Sequence, residues 1–201
     1  DNANLETNFK EFLSFSKIEY LSNGTFGIVF RATIDPTIID PSTGYPYTSP
    51  FTKMDVNDYG TPITSLIIKF SVIEYKKNID EDAKHISTIK EEDFIKEVNV
   101  QTETFQKTME YLQPLCPAII FAKIQENKQI IKTLNARIKD KKWKDILFEL
   151  FNTVSKFSII AMELLENYQT LSSFKKQPIK YDLYQEMTIY LLIMFALKTR
   201  Y

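Results

Sequence analysis

The sequence predicts an α+β fold, in which a small antiparallel sheet with one helix is followed by the beginning of a helical part. Three observations support this. Residues 17–33 are β-prone on both sides of a turn that contains Gly24 and Gly27, which is typical of two strands joined by a tight hairpin. Residues 65–73 form a nearly continuous β-branched run. In residues 84–112 the apolar side chains recur with the period of a helix.

The second half of the chain supplies the remaining elements. Short apolar runs predict strands at residues 118–123 and 157–165. A short helix is expected at residues 170–176 and a long one at residues 181–199. The long helix is apolar on nearly all sides, as expected of a helix that is buried all round. We therefore expect further protein to cover it.

Two stretches interrupt this pattern and are interpreted as insertions. Residues 35–62 contain most of the prolines of the chain and predict a long irregular segment, for which a surface position is expected. Residues 125–154 are rich in lysine, include the only tryptophan, Trp143, and predict a helical insertion.

Composition limits the classes of partner. The 201 residues are 44% hydrophobic, which excludes wholesale disorder. Twenty-five Lys and Arg against 26 Asp and Glu give a net charge of −1, so no overall field favours nucleic acid or an anionic membrane. The lysines of residues 139–144 are interpreted as a solvated helix face. The longest apolar run, within residues 187–197, is shorter than the ~18 residues that a membrane span needs. We expect neither a nucleic-acid nor a membrane partner.

The single cysteine and the single histidine limit redox and metal chemistry. Cys116 cannot form an internal disulfide, which favours a reducing, cytoplasmic compartment. We interpret it as a small buried hydrophobic residue and His85 as a surface residue. One histidine excludes a multi-histidine metal site, and the two residues are not at zinc-ligand spacing.

The glycine turn carries the first candidate site. Residues 21–32, LSNGTFGIVFRA, resemble the glycine-rich loop of protein kinases, with Ser22 in place of the first glycine. Glycine has no Cβ, so such a hairpin can present backbone N–H groups to phosphate oxygens. The resemblance implies nucleotide contacts by Leu21, Gly24, Thr25, Phe26, Gly27 and Val29. Leu21 and Val29 would cover the adenine, and Phe26 would cap the phosphates.

A lysine and a glutamate form the second candidate site. Residues 66–69, LIIK, resemble the kinase V-A-I-K strand, and Lys69 would then pair with the α- and β-phosphates. A lysine on a largely buried strand needs a partner, and residues 94–98 resemble the helix that carries the partner glutamate, here Glu97. Three other glutamates of this helix are alternatives that we expect on a solvated face: Glu91, Glu92 and Glu103. The other possibility is that Lys69 simply reaches solvent.

Residues 158–167, SIIAMELLEN, resemble the last strand of the small kinase lobe and the hinge that follows it. Met162 would be the gatekeeper. The resemblance implies that the Glu163 carbonyl and the Leu165 N–H bond the adenine edge. Gln169 or Asn167 would lie near the ribose.

The resemblance implies a domain organisation and cofactors. Residues 1–165 would be a kinase-like N-lobe with the two insertions, and residues 166–201 the hinge exit and the first helices of the C-lobe. The cofactors would be ATP and Mg²⁺. In the family the catalytic base and the Mg²⁺ ligands follow the central helix, so we expect them beyond Tyr201.

The expected function is that of the ATP-binding portion of a Ser/Thr protein kinase, whose protein substrate the sequence does not indicate. The alternative is a catalytically inactive kinase-like module for binding or structure, which Ser22 and Ile67 favour because the family usually has glycine and alanine there. The insertions and the Asn, Lys and Ile bias resemble atypical kinases of large DNA viruses or AT-rich protists. A viral protein would be expected in the host cytoplasm or the virion.

Overall fold

The fold is α+β, as predicted, in a computed structural model that describes residues 2–54, 59–80, 84–109, 114 and 116–164. This part of the chain forms five strands and four helices. In chain order they are α1 (Asn2–Ser14), β1 (Ser16–Gly24), β2 (Gly27–Ile34), β3 (Ser65–Tyr75), α2 (Glu91–Met109), β4 (Ile119–Gln125), α3 (Gln129–Arg137), α4 (Lys141–Thr153) and β5 (Val154–Glu163). The helices predicted at residues 170–176 and 181–199 lie outside the described residues.

The five strands form one antiparallel sheet in the order β1-β2-β3-β5-β4. All five coincide with predicted strands to within a few residues. The central strand β3 is flanked by β2 and by β5, and β5 comes from the far end of the described chain. The sheet is therefore completed only by residues that are distant in sequence.

Helix α2 begins at Glu91, so the predicted start at residue 84 is wrong. The residues before it run along β3 instead: the Ile89 N–H donates to the Val72 carbonyl over 2.9 Å, and Thr88 forms a parallel bridge to Val72. Backbone groups used in this way cannot close helical turns. The helix starts where three acidic residues (91–93) can stabilise its positive N-terminal end.

The sequence prediction does not include α1, although its apolar residues have helical spacing. Leu5, Phe9, Phe12 and Leu13 lie on one face, and the last three are fully buried. The Phe9 ring stacks on Phe121 of β4 with ring centroids 4.5 Å apart. The helix therefore covers one face of the sheet.

The insertion at residues 125–154 is helical, as predicted, but it forms two helices that complete the same core. Helix α3 packs on α1, on β1 and on α4. Asp140 caps α4 by accepting the Trp143 N–H over 3.2 Å. The Trp143 ring stacks on Tyr20 of β1 with centroids 3.7 Å apart. Among the buried residues of this core are Phe30, Leu66, Ile68, Phe70, Ile130, Leu134, Leu147, Leu150 and Phe157.

The insertion at residues 35–62 is irregular, as predicted, but it does not lie wholly at the surface. Tyr47 and Phe51 are buried. The Tyr47 ring stacks on Phe15 with centroids 4.5 Å apart, and the Phe51 ring lies 6.0 Å from that of Phe12. Prolines prevent regular structure here, but these aromatic side chains still anchor the segment beside α1.

The opposite face of the sheet carries α2. Val29 lies directly opposite Lys69 in the β2–β3 pair, and Met162 lies directly opposite Ile67 in the β3–β5 pair. Residues that face each other across an antiparallel pair share one side of the sheet. These four residues alternate along their strands with the residues of the main core, and they define what we call the α2 face.

No helix in the described ranges is both long enough and apolar enough to cross a membrane. His85 is exposed, as predicted, and contacts Glu149 of α4.

Candidate functional site

The glycine hairpin joins β1 to β2, with Gly24 opposite Gly27 and with Thr25 and Phe26 at its tip. A Cβ on Gly27 would lie 2.7 Å from the Phe70 carbonyl oxygen, so the close approach of β3 requires glycine there. A Cβ on Gly24 would meet no atom within 4 Å. The fold therefore explains Gly27 but leaves Gly24 without a packing role.

The tip of this hairpin is held by the segment that leads into α2. The Ser87 N–H donates to the Thr25 carbonyl over 2.8 Å. In the same segment, Ile86 is buried, and its carbonyl accepts the Tyr75 hydroxyl over 2.9 Å. This contact could not be predicted from the sequence, because it depends on residues 84–90 not being helical.

A β-bulge in β1 determines which side chains face the α2 side near the hairpin. The register shifts between Tyr20 and Ser22, so Leu21 is the extra residue of the bulge. Ser22 lies opposite Val29 beyond the bulge and therefore shares the α2 face. Leu21 and Phe26 are exposed.

Lys69 and Glu97 form an ion pair between β3 and α2. The Lys69 Nζ lies 2.5 Å from the Glu97 Oε1. The side chains are 30% and 37% exposed, so solvent still reaches the pair. The predicted pairing is confirmed, and the possibility that Lys69 only reaches solvent is excluded.

The alternative glutamates of α2 pair elsewhere. Glu91 bonds Lys156 of β5 over 2.5 Å. Glu92 pairs with Lys90 and Glu103 with Lys107, at 3.2 and 3.3 Å, in exposed pairs along α2 and the residue before it. Of the four glutamates considered, Glu97 is therefore the one that pairs with Lys69.

Helix α2 is oriented by contacts on both sides of Glu97. Phe94, three residues earlier and on the same helix face, is buried. One turn after Glu97, the Gln101 Nε2 lies 2.9 Å from the Pro117 carbonyl and 3.1 Å from the Met162 sulfur. The Cys116 thiol donates to the Gln101 carbonyl over 3.4 Å. Gln101 is a positioning residue that sequence reasoning missed, because an isolated polar residue on a charged helix carries no pattern.

The end of β5 lies beside the pair. Ile67 and Met162 face each other and form an apolar wall next to Lys69. The Glu163 N–H donates to the Ala118 carbonyl over 3.0 Å, and a Glu163 carboxylate oxygen accepts the Met54 N–H over 3.3 Å. The first insertion therefore reaches the end of β5. The predicted contacts by Leu165 and by Gln169 or Asn167 lie outside the described residues.

A cavity of about 690 Å³ opens between α2 and the end of β5. Its lining includes Glu97, Gln101, Cys116 and Met162. Burial raises the pKa of the Cys116 thiol to about 11, which makes this thiol a weak nucleophile at neutral pH. The thiol acts here as a packed side chain, in keeping with the prediction, although Cys116 is half-buried rather than fully buried.

The chemistry that these residues can support is binding of an anion beside an apolar surface. The ammonium of Lys69 is held by Glu97, and Val29, Ile67 and Met162 provide an apolar wall on the same face.

No protein-family model, curated protein or solved structure matches the chain.

Proposed function

We propose that this chain is the ATP-binding portion of a Ser/Thr protein kinase, an enzyme that transfers the γ-phosphate of ATP to a protein hydroxyl. The observation that carries the proposal is the ion pair between Lys69 and Glu97, which joins the central strand to α2, the one helix on that face of the sheet among the described residues. Catalytic phosphoryl transfer in this class depends on such a strand lysine held by a helix glutamate.

The residues around the pair fit a nucleoside triphosphate. The Lys69 charge lies next to Val29, which follows the glycine hairpin within β2, so phosphates beside Lys69 would also lie near the hairpin. Val29, Ile67 and Met162 would pack on the adenine. The proposal assigns no Mg²⁺ ligand to residues 1–201. Mg²⁺, when bound with ATP, would supply positive charge that neutralises the phosphates.

The Lys69→Met variant tests the proposal. Its affinity for ATP is measured by the competition of ATP with a fluorescent ATP analogue. The stem volume is kept and the charge is removed. Loss of a hydrogen bond between charged groups should weaken ATP binding about tenfold or more. Lys156→Met is the matched control, because it removes another strand–α2 ion pair, that with Glu91. Equal ATP affinity in Lys69→Met and the wild type would contradict the proposal.

A kinase-like module without nucleotide binding is the second candidate, and the Ile67–Met162 contact favours it. The family usually has the smaller alanine at the position of Ile67, so the larger side chain leaves less space for adenine against this wall. Ile67→Ala should strengthen ATP binding if the wall contacts adenine. A folded protein that binds no ATP with either residue would favour the second candidate.

A further inference from the structure

The end of β1 carries a pair of residues with a chemistry of their own. Asn23 is the one asparagine in the 201 residues that is followed by a glycine, Gly24. Both residues are exposed, and they are the last two of β1. The backbone nitrogen after an asparagine can attack the side-chain amide carbon to form a cyclic imide, and glycine hinders this attack least because it has no Cβ. Asn23 is therefore the asparagine of this chain that is most open to such an attack.

The surroundings of Asn23 favour the attack. A Cβ on Gly24 would meet no atom within 4 Å, so there is room beside the backbone nitrogen for a ring to form. The Tyr20 hydroxyl donates to the Asn23 Oδ1 over 2.6 Å. This bond draws electrons from the amide carbon, and it strengthens as Oδ1 gains negative charge during the attack. The Tyr20 ring stacks on Trp143 with centroids 3.7 Å apart, so the donor is held in place.

The strand conformation restrains the same attack. Asn23 and Gly24 both belong to the β1–β2 ladder. Ring closure requires the Gly24 nitrogen to turn toward the side chain of Asn23, which extended backbone does not allow. The reaction therefore needs the hairpin tip to open. From outside the hairpin, the tip is held by the hydrogen bond from the Ser87 N–H to the Thr25 carbonyl.

We propose that Asn23 is a site of spontaneous deamidation, and that opening of the hairpin tip sets its rate. The site takes water as its only reactant and releases ammonia. The modification uses residues of the hairpin alone and does not depend on nucleotide binding.

The reaction proceeds in two steps. In the first, the Gly24 nitrogen gives its proton to solvent and forms a bond to the side-chain amide carbon of Asn23. The bond from that carbon to Nδ2 breaks, and the leaving nitrogen takes a proton from solvent and departs as ammonia. In the second step, water opens the cyclic imide at either of its two carbonyl carbons. Position 23 then holds aspartate or isoaspartate, and no oxidant or reductant is needed.

Both products change the hairpin. Each carries a carboxylate where Asn23 has a neutral amide. Isoaspartate also lengthens the backbone by one carbon atom, which disturbs the register that β1 and β2 share. Repulsion between the new carboxylate and bound phosphates would be a further consequence if the proposed function holds.

Incubation of the full chain at mildly alkaline pH, followed by peptide mapping with mass spectrometry, tests the proposal. Conversion is measured as the mass increase from amide to carboxylate, and isoaspartate is measured as a separate peptide peak. Asn127, which is also exposed but precedes Lys128, is the control within the same molecule. We expect conversion of Asn23 to be severalfold faster than that of Asn127. No ATP enters this experiment, so its result is independent of the proposed function.

Two variants separate the chemistry from the opening of the tip. Gly24→Ala places a Cβ beside the attacking nitrogen without a clash in the folded protein, so conversion of Asn23 should slow severalfold. Ser87→Pro removes the N–H that holds the tip. Loss of a neutral hydrogen bond of about 1 kcal/mol should raise the open population, and with it the rate of conversion, about fivefold. Ser87→Ala keeps the N–H, is the matched control, and should convert at the wild-type rate.

Far-UV circular dichroism and thermal melting establish that each variant is folded. Asn23 that converts no faster than Asn127, or equally fast in the wild type and in Gly24→Ala, overturns the deamidation site. A blocked peptide of residues 20–27 lacks the rest of the sheet and should convert faster than the folded chain. Equal rates in the peptide and the chain, or in folded Ser87→Pro and the wild type, overturn control by the hairpin tip.

Discussion

The Ser87 backbone N–H donates to the Thr25 carbonyl over 2.8 Å, so the segment before α2 holds the tip of the glycine hairpin. One residue before Ser87, the Ile86 side chain is buried, which anchors the segment itself. The position of α2 and the position of the hairpin are therefore linked through one backbone hydrogen bond.

Ser87→Pro should loosen the hairpin, because proline has no N–H to donate. A neutral hydrogen bond contributes about 1 kcal/mol, so hairpin amides near Gly24 should exchange about fivefold faster. Hydrogen exchange measured by NMR checks this. Ser87→Ala keeps the N–H and is the control. Faster exchange in both variants would mean that the side chain, not the backbone bond, holds the tip.

Lys69→Met and Glu97→Gln should separate stability from function. The pair is about one-third exposed, so each change should alter the free energy of unfolding by less than about 1 kcal/mol. Phe94→Ala should cost about 3–5 kcal/mol, because it empties a buried position of the same helix. Urea unfolding measures all three. A loss of several kcal/mol in Glu97→Gln would show that the pair supports the fold rather than ligand binding.

The two hairpin glycines should respond differently to alanine. Gly27→Ala places a Cβ 2.7 Å from the Phe70 carbonyl and should cost about 1–3 kcal/mol of stability. Gly24→Ala enters open space and should change stability by no more than about 0.5 kcal/mol. If phosphates approach the hairpin, Gly24→Ala should still weaken ATP binding. Thermal melting and ATP titration of both variants provide the comparison, and similar losses of stability would contradict it.

Alkaline pH should destabilise the protein partly through Cys116. Burial raises the pKa of this thiol from 9.0 to about 11. Between pH 9.0 and about pH 11 the thiol loses its proton in the unfolded chain but keeps it in the folded protein. The free energy of unfolding therefore falls as the pH rises through this window. The full effect is at most about 2–3 kcal/mol. Urea unfolding at pH 8 and at pH 10.5 measures it.

Cys116→Ser is the control for this pH dependence, since a serine hydroxyl does not ionise in that range and can still donate to Gln101. Burial also raises the pKa values of Tyr47 and Tyr75, and both variants share that contribution above pH 10. A wild type and a Cys116→Ser variant that lose stability equally would contradict the prediction.

The strands could be predicted because local residue choice determines them, and local sequence also indicated that Lys69 needs a partner. Residues 65–73 are β-branched almost throughout, and a single lysine in such a run needs a counter-charge. Phe94 shares a helix face with both Glu91 and Glu97, so it was the resemblance of residues 94–98 to the kinase helix that identified Glu97 as the partner. The ends of helices and strands were harder to predict where hydrogen bonds to distant residues replace those within a helix. In residues 84–90, for example, the Ile89 N–H donates to the Val72 carbonyl.

The roles of the insertions could not be predicted from local pattern. Proline content correctly indicates irregular backbone in residues 35–62, but burial of Tyr47 depends on its contact with Phe15. The stacking of Trp143 on Tyr20 likewise depends on where two distant segments meet. Helix α1 is different, because its apolar residues have helical spacing and the helix could have been predicted, although the sequence prediction omits it.

Pairing of β3 with β5 has a consequence for the order in which the chain can fold. Ile67 meets Met162 only after the whole of α2, β4, α3 and α4 has been synthesised. Until then one edge of the central, strongly apolar strand has no partner, and unpaired apolar edges promote association between chains. Pairing across such sequence distance also costs loop-closure entropy before it gains contacts. The rate of synthesis of residues 76–163, and chaperones that bind extended apolar segments, should therefore influence how much of this protein reaches its native state.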